Sequence, residues 1–333
     1  MNYNSKYGAV IGVDIGNYST KTAKTLTPNG YEAYNTEPAL VEDVLIYNGV
    51  YYAPTSRRFP FVLDKRKNDQ CLIMALFGVC KEIICELEEQ KIPKAMWQKK
   101  VSLINNVNIG LGLPPEHIQS LGKGTHEYFD EKMGKGIEVT YKGINFKFKM
   151  NRCAVYPQGI VTVLGNKECA IANDYETYII IDIGGFTADI IQIDEDEPVY
   201  SECLSLEYGV NVMFSNIAKK IKKEMGVHID NLMVESVLLN KKSILEENVV
   251  SEIRKGAEKH VTTLLNQCRE IGIDFRVKPC VFVGGGSLLL RSFIESNSML
   301  SVYEFISDVF SNAKFFELYL YETLQEENEQ GVK

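Results

Sequence analysis

Short apolar runs that end at a glycine are the clearest pattern along the chain. Residues 9–16 form one such run, and residues 178–184 form the most apolar run of the second half. This pattern predicts a buried strand that enters a tight turn. Residues 21–26 and 187–194 are then expected to return as the second strand of each hairpin. Because a similar device occurs twice, the pattern predicts two domains of like construction.

Helical spacing and strand-like alternation predict the remaining elements, and their mixture indicates an α/β fold. In the first half we expect helices at 72–89 and 118–133, strands at 44–53 and 59–63, a strand with a glycine turn at 101–112, and a hairpin at 136–150. In the second half we expect strands at 153–156, 200–206 and 277–283. One helix is expected to start at 157–159, and four others to cover 211–225, 231–239, 249–271 and 287–296.

Composition narrows the partners and the location. Apolar residues make up 45% and charged residues 24% of the 333 residues, the balance of an ordinary globular protein. The net charge of -8 argues against direct nucleic-acid binding, which needs clustered Lys and Arg. There is no secretion signal, no apolar stretch of membrane-span length and no CxxC pair among the 8 cysteines. We therefore expect a cytoplasmic protein with no membrane contact.

The first candidate site is the first loop, residues 14–21. Gly16 permits a sharp turn and leaves backbone N–H groups free to face a phosphate, while Lys21 can place its ammonium nearby. Asp14 cannot contact a phosphate favourably by itself, so we interpret it as a holder of Mg²⁺, directly or through water. The alternative is a plain hairpin with an Asx-type turn. The other residues expected to contact the nucleotide are Asn17, Tyr18, Ser19 and Thr20.

The second loop, residues 182–189, repeats this arrangement with further carboxylates, Asp182 and Asp189. Two loops that bind one phosphate chain would share a metal ion, which explains why both Asp14 and Asp182 are present. The residues expected to contact the nucleotide here are Gly184, Gly185, Phe186, Thr187 and, further along, Gly209. The glycine triplet Gly284, Gly285 and Gly286, with Ser287, follows an apolar strand and would let the backbone approach a base or sugar. The alternative is a simple turn into a helix.

In this order the motifs resemble those of the actin, Hsp70 and sugar-kinase ATPase superfamily. The matching segments are two phosphate loops at 14–21 and 182–189, a connecting helix at 155–163, an adenosine motif at 281–287 and, less well because of Phe315, a second connecting segment at 312–315. The resemblance implies two RNase H-like domains with a nucleotide cleft between them. Domain I would cover 1–154, with a peripheral subdomain at roughly 35–100, and domain II would cover 155–333, with a C-terminal helix at about 313–330 packing back on domain I.

Within that superfamily the chain is similar to the bacterial plasmid-segregation actins of the ParM/StbA type, in length and in the segment 155–159. The resemblance implies a filament that hydrolyses ATP (or GTP) with Mg²⁺ and a DNA-binding adaptor on a centromere-like plasmid site. Asp14 and Asp182 would position the metal through its waters. Gln158 would orient the attacking water, helped by Asp189, since orientation suffices for phosphoryl transfer. Alternatively, Gln158 only satisfies local backbone at a helix start.

Two other functions stay open. A small-molecule kinase of the same superfamily would need a carboxylate base beside a substrate hydroxyl, and the first half offers no convincing one, although Asp64 and Asp130 stay open. A non-polymerising actin-like scaffold is the second alternative.

Overall fold

The chain folds as two compact units. The structure is a computed structural model, and it describes residues 1–4, 6–39, 41–62 and 64–330. Unit 1 comprises Met1–Val161 together with the segment from Phe310 onward, and unit 2 comprises Thr162–Val309. Part of the predicted strand at 59–63 and the predicted end of domain II at 333 lie outside the described residues.

Unit 1 is built on a ten-stranded sheet. Within its described residues the strands are β1 (Asn2–Asn4), β2 (Gly8–Ile15), β3 (Ser19–Lys21), β4 (Leu26–Pro28), β5 (Tyr31–Tyr34), β6 (Leu45–Tyr47), β7 (Val50–Pro54), β8 (Asn106–Leu113), β9 (Ile137–Tyr141) and β10 (Ile144–Pro157). The order is β4-β3-β2-β8-β10-β9-β6-β7-β5, with β1 paired to β2. The helices are α1 (Gln70–Glu89), α2 (Trp97–Val101) and α3 (Pro115–Met133), and α4 (Ile160–Leu164) leads into unit 2.

Unit 2 contains a six-stranded sheet. The described strands are β11 (Tyr178–Ile183), β12 (Ala188–Asp194), β13 (Glu197–Pro198), β14 (Leu204–Leu206), β15 (Cys280–Val283) and β16 (Tyr303–Phe305), in the order β13-β12-β11-β15-β16 with β14 paired to β12. The helices are α5 (Ala170–Asp174), α6 (Val210–Met225), α7 (Asn231–Leu238), α8 (Glu247–Glu270), α9 (Gly284–Leu289) and α10 (Arg291–Glu295). The predicted hairpin of β11 and β12 and the predicted helices α6, α7 and α8 are confirmed.

The last helix, α11 (Ser311–Gln330), packs on the central strands β2 and β8 of unit 1. Glycines in those strands make the approach possible. A Cβ on Gly12 would lie 1.8 Å from the carbonyl oxygen of Ala313, and a Cβ on Gly110 would lie 2.6 Å from that of Phe316. These positions therefore stay side-chain-free because a helix from the other end of the chain lies against them.

Several predicted elements differ from the structure. Residues 101–112 are not one strand, because Val101 ends the short helix α2 and β8 starts at Asn106. Residues 59–62 form no strand; the amide of Phe59 donates to the carbonyl of Asn29, and its ring packs on Tyr31. The return strand predicted at 21–26 is β3, which ends at Lys21.

Two boundaries in unit 2 also differ. The strand predicted at 277–283 starts only at Cys280, and the glycine triplet begins helix α9 instead of forming a turn. The helix predicted at 287–296 is divided at Leu290 into α9 and α10. Throughout the described ranges, each helix is too short or too polar to span a bilayer.

Candidate functional site

The two predicted loops are hairpin turns with the same strand register. In unit 1, Asp14 of β2 lies opposite Lys21 of β3. In unit 2, Asp182 of β11 lies opposite Asp189 of β12. Residues opposite each other across an antiparallel pair share one face of the sheet. The repetition seen in the sequence is therefore a repetition of geometry, with an opposite-charge pair in one unit and a like-charge pair in the other.

Each turn is closed by the same backbone hydrogen bond. The amide of Gly16 donates to the carbonyl of Ser19 at 3.1 Å, and the amide of Gly184 donates to the carbonyl of Thr187 at 2.8 Å. A Cβ on Gly16 would lie 2.9 Å from the Ser19 oxygen. The glycine thus allows the four-residue turn to close tightly in the first loop.

Three predicted residues of unit 1 meet at the carboxyl ends of neighbouring strands. Since β2, β8 and β10 are parallel neighbours, Asp14 and Gln158 reach the same sheet edge. The Gln158 side-chain nitrogen donates to Asp14 Oδ1 at 2.8 Å, and the Lys21 ammonium lies 3.9 Å from Asp14 Oδ2. Asp14 is only 5% exposed. Within the described residues, the Gln158 side-chain oxygen accepts no hydrogen bond, so it can accept one from a water molecule.

Two hydroxyl groups of the first loop are buried without a partner. The side-chain oxygens of Ser19 and Thr20 form no hydrogen bond within the described residues. Strand alternation places Ser19 on the face of Lys21 and Asp14, and Thr20 on the opposite face with Ile15. A buried unpaired hydroxyl costs free energy, so Ser19 fits a loop that binds a polar ligand.

The first loop also has neighbours that its local sequence did not predict. The Arg58 guanidinium lies 3.5 Å from the centre of the Tyr18 ring, and its Nε donates to the Tyr18 carbonyl at 3.1 Å. The Lys65 ammonium donates to the carbonyl of Ile15 at 2.5 Å. These basic residues hold the loop from a distant part of the chain, so no local motif could reveal them.

The second loop places two carboxylates side by side. Asp182 and Asp189 are 8% and 6% exposed, and like charges directly opposite each other are destabilising. The hydroxyl of Ser205 donates to Asp189 at 2.5 Å. A divalent cation with oxygen ligands would relieve the repulsion between the carboxylates, so the pair fits Mg²⁺ held at this loop. In the part of the chain that the structure describes, no cluster of three or more His, Cys, Asp or Glu forms a metal site.

The backbone amides at the N-terminus of α6 hold the second loop by donating hydrogen bonds to the carbonyl groups of the loop. Three successive amides donate to three loop carbonyls: Gly209 to Phe186 at 2.7 Å, Val210 to Gly184 at 3.1 Å and Asn211 to Gly185 at 2.7 Å. In a trans peptide the next N–H points opposite to the C=O. The amides of residues 185–187 therefore point away from α6, as three successive N–H groups that could together face an anion.

Gly209 is a support of this loop. A Cβ there would lie 2.3 Å from the carbonyl carbon of Phe186 and 2.5 Å from that of Gly185. The predicted site residue Gly209 therefore lies directly behind the turn, and its contact with the loop backbone is the observed reason for a glycine.

The glycine triplet lies against the end of β11. Gly284 has φ +85, and a Cβ there would lie 2.3 Å from Asp182 Oδ1. A Cβ on Gly286 would lie 2.6 Å from the Ile183 carbonyl oxygen, whereas one on Gly285 would enter open space. The buried Ser287 hydroxyl donates to the Val283 carbonyl. The triplet thus lies beside the predicted metal-holding carboxylate, with Gly285 as its one sterically unconfined member.

The two carboxylates considered for a kinase base lie in other settings. Arg66 donates two side-chain hydrogen bonds to Asp64, at 2.7 and 2.8 Å, and this pairing lowers the pKa of Asp64. Asp130 is exposed on α3. A carboxylate with a lowered pKa is a weak base, so the structure supplies no support for Asp64 in that role.

Part of the chain is similar in sequence to archaeal actin homologues. A family model described as archaeal actin homologue MreB-like, C-terminal, matches residues 180–296. An archaeal actin homolog of Thermoplasma volcanium is 25% identical over 212 residues, 60% of this chain and 64% of that protein. The homolog of Thermoplasma acidophilum is 26% identical over 217 residues, 61% of this chain and 65% of that protein. The alignments thus span less than two thirds of these relatives.

Solved structures match nearly the whole chain. An archaeal actin homolog in complex with ADP has a TM-score of 0.67 at 20% identity, covering 94% of this chain and 99% of that one. A 15-stranded ParM filament from Clostridium botulinum gives 0.68 at 13% identity, with 94% and 99% covered. Bacillus thuringiensis ParM with ATP gives 0.61 at 16% identity, with 95% and 99% covered. The chain therefore has the actin-like ATPase fold, as the sequence motifs predict.

Proposed function

We propose that this protein binds ATP with Mg²⁺ through both loops, hydrolyses it, and uses the nucleotide state to control the assembly of its own copies into filaments. The observation that carries the proposal is the matched pair of hairpins, in which the second loop turns three successive amides away from α6. Successive backbone N–H groups of this kind bind phosphate groups. The unpaired Ser19 hydroxyl and the paired carboxylates Asp182 and Asp189 add the polar ligands that a metal–nucleotide complex needs.

The roles of the residues follow from their contacts. Lys21 and the loop amides would stabilise negative charge that develops on the phosphates. Gln158 is held by its hydrogen bond to Asp14, which leaves its side-chain oxygen to orient a water molecule for attack. Asp14 and Asp182 would hold Mg²⁺ through water, and Asp189 would assist. Bound Mg²⁺ would supply neutralisation of the phosphate charge. Gly285, whose Cβ position is open, is the member of the triplet best placed to face the base or sugar.

Self-assembly and plasmid segregation extend the proposal. A fold neighbour is a ParM filament, and other neighbours carry ADP and ATP. By analogy with the plasmid-segregation actins, copies of this protein would assemble when ATP is bound and separate after hydrolysis. A DNA-binding adaptor would connect the filament to a plasmid, because the net charge of -8 disfavours direct contact with DNA. A plasmid-bound filament of this kind would act in the cytoplasm.

The test combines light scattering with negative-stain microscopy of the purified chain in Mg-ATP, in Mg-ADP and without nucleotide. We expect filaments in Mg-ATP and their loss as ATP is consumed. A chain that stays monomeric at high concentration in all three conditions would overturn the filament function. ATP consumption that depends on one added small alcohol would instead support the kinase alternative.

A further inference from the structure

The turn that carries Gln158 lies between strand β10 and helix α4. Strand β10 ends at Pro157 and α4 starts at Ile160, so the turn consists of Gln158 and Gly159. Gly159 is buried and has φ +73, a left-handed conformation that favours glycine. The residue proposed to orient the attacking water is thus followed directly by the residue type with the most backbone freedom. A fixed position for Gln158 therefore needs support from outside the turn.

That support comes from the first turn of helix α11. The amide of Gly159 donates to the side-chain oxygen Oδ1 of Asn312 at 3.0 Å, across 153 residues of sequence. In the same peptide group, the carbonyl of Gln158 accepts from the amide of Ile160 at 2.8 Å. Because a peptide group is planar, these two hydrogen bonds together fix the plane that joins Gln158 to Gly159.

Gln158 is also supported by the end of strand β8. Its backbone amide donates to the carbonyl of Leu113 at 2.9 Å. A Cβ on Gly112 would lie 2.7 Å from Gln158 Cγ and 2.3 Å from Phe316 Cζ, so the stem of Gln158 and the Phe316 ring both pack over this glycine. Phe316 follows Asn312 by four residues, and residues four apart share a helix face. One face of α11 therefore contacts both the turn and the surroundings of the Gln158 side chain.

We infer that Asn312 is a positioning residue for the hydrolysis of ATP. By accepting from the Gly159 amide it fixes the turn, and the fixed turn keeps the Gln158 side chain at Asp14 with its side-chain oxygen directed at the attacking water. A group displaced by about 1 Å from its working position can lose about 10²-fold in rate, so a support of this kind acts on the rate and not on ATP affinity. This inference rests on the proposed hydrolysis and names a further residue that it needs.

The first experiment removes the acceptor oxygen. Asn312→Leu has a side chain of similar size that offers Gly159 no acceptor, and it is expected to lower the rate of phosphate release at saturating Mg-ATP by about tenfold, while ATP affinity stays within about twofold. Asn312→Asp keeps an acceptor oxygen in the first turn of α11, where a negative charge is favourable, so it is expected to retain most of the rate. Equal losses of rate in the two variants would contradict the inference.

Asn248→Leu is the matched control. Asn248 is the second residue of α8, as Asn312 is the second residue of α11, and its side-chain oxygen also accepts from a backbone amide, that of Val249 at 2.7 Å. Since Asn248 lies in unit 2, its loss is expected to leave the rate within about twofold. Urea unfolding measures the stability of each variant. Asn312→Ala replaces Asn312→Leu if the latter is too unstable to assay, because alanine favours the helix.

A double-mutant cycle separates positioning from a merely structural role. If Asn312 acts through Gln158 alone, Asn312→Leu has no further effect on the rate once Gln158→Ala is present. The double variant is therefore expected to release phosphate as fast as Gln158→Ala does. Losses that multiply in the double variant would overturn the inference, because Asn312 would then act independently of Gln158.

Hydrogen exchange tests the contact without nucleotide or turnover. The Gly159 amide is buried and bonded to Asn312, so we expect it to exchange at least about tenfold faster in Asn312→Leu than in the unaltered chain. Asn312→Asp is expected to exchange slowly again. Mass spectrometry of peptides that span the turn measures both rates. Unchanged exchange in Asn312→Leu would show that the side chain does not fix the turn, and the inference would fail.

The outcomes also separate this inference from the proposed function. If Gln158→Ala slows phosphate release and Asn312→Leu does not, the inference fails while the proposed hydrolysis stands. If the unaltered chain releases no phosphate from Mg-ATP, the proposed hydrolysis and the inference both fail.

Discussion

Gly209→Ala disturbs the contact between α6 and the second loop and leaves the side chains of the loop unchanged. Gly209 has φ -75 and ψ 167, a conformation that alanine adopts without strain. The added methyl group is therefore the whole perturbation. It would lie 2.3 Å from the carbonyl carbon of Phe186, 2.4 Å from its nitrogen and 2.5 Å from the carbonyl carbon of Gly185.

The size of the effect follows from these distances. Carbon atoms in contact lie about 3.5 Å apart or more, so the loop and the start of α6 must separate by about 1 Å. The three hydrogen bonds that join them, 2.7, 3.1 and 2.7 Å long, would then exceed the ordinary limit of about 3.2 Å. At about 1 kcal/mol each, their loss costs at most about 3 kcal/mol, which agrees with the usual cost of overpacking, about 1–3 kcal/mol.

The assay measures stability and nucleotide binding in the same variant. We expect urea unfolding to reveal the lost stability of Gly209→Ala, and titration with a fluorescent ATP analogue to reveal a loss of affinity of about tenfold or more, which is about 1.4 kcal/mol. Gly122→Ala is the control, because nothing lies within 4 Å of its Cβ position in α3 and a helical alanine is typically stabilising by about 1 kcal/mol. Affinity within about twofold of the unaltered chain would refute the claim that α6 aligns the phosphate-binding amides.

Two further predictions concern hydrolysis and pH. Gln158→Ala is expected to lower the rate of phosphate release by about 10²-fold while ATP affinity stays within a few-fold, because Gln158 orients water without binding the phosphates; an affinity loss as large as the rate loss would contradict this. Burial lowers the pKa of His260 below 6.5, so below that value the unfolded chain takes up a proton that the folded chain does not. The contribution of neutral His260 to the free energy of unfolding is fully present above about pH 6.5. It is lost as the pH falls toward the lowered pKa of His260 in the folded chain. Urea unfolding at about pH 7.5 and 5.5 should reveal a smaller pH dependence in His260→Gln, and equal losses in both proteins would reject that assignment.

The hairpins could be predicted from sequence because their signal is local. An apolar run, an aspartate and a glycine two residues later are enough to predict β2 and β11 with their turns. Long helices such as α1 and α8 were predictable for the same reason, since their apolar positions recur at helical spacing. The shared register of Asp14 with Lys21 and of Asp182 with Asp189 follows from equal turn lengths.

The reasons for individual glycines could not be predicted, because they lie in distant contacts. Gly110 lies inside strand β8, at a position where the sequence suggests a turn. A glycine is needed there because α11 packs against it. Gly284 is the first residue of α9. It is a glycine because only a residue without a side chain fits beside Asp182 at that backbone conformation. Arg58 and Lys65 support the first loop from a segment that carries no recognisable motif.

The domain boundary and the binding roles of single residues remain predictions. Gln158 lies beside Asp14, in a position from which its side chain can orient a water molecule. Its role in hydrolysis stays a prediction, which the rate of phosphate release tests. The same applies to Tyr18, Phe186 and Thr187, whose positions in the turns are established while their contacts with a nucleotide are proposed.

The decisive measurement is phosphate release from Mg-ATP by the unaltered chain and by Asp182→Ala. We propose that both loops serve one metal–nucleotide complex, with Asp182 as an essential holder of Mg²⁺. We expect steady phosphate release by the unaltered chain and its abolition in a folded Asp182→Ala variant. Unchanged turnover in Asp182→Ala would contradict the shared metal, and with it the function proposed for the paired loops.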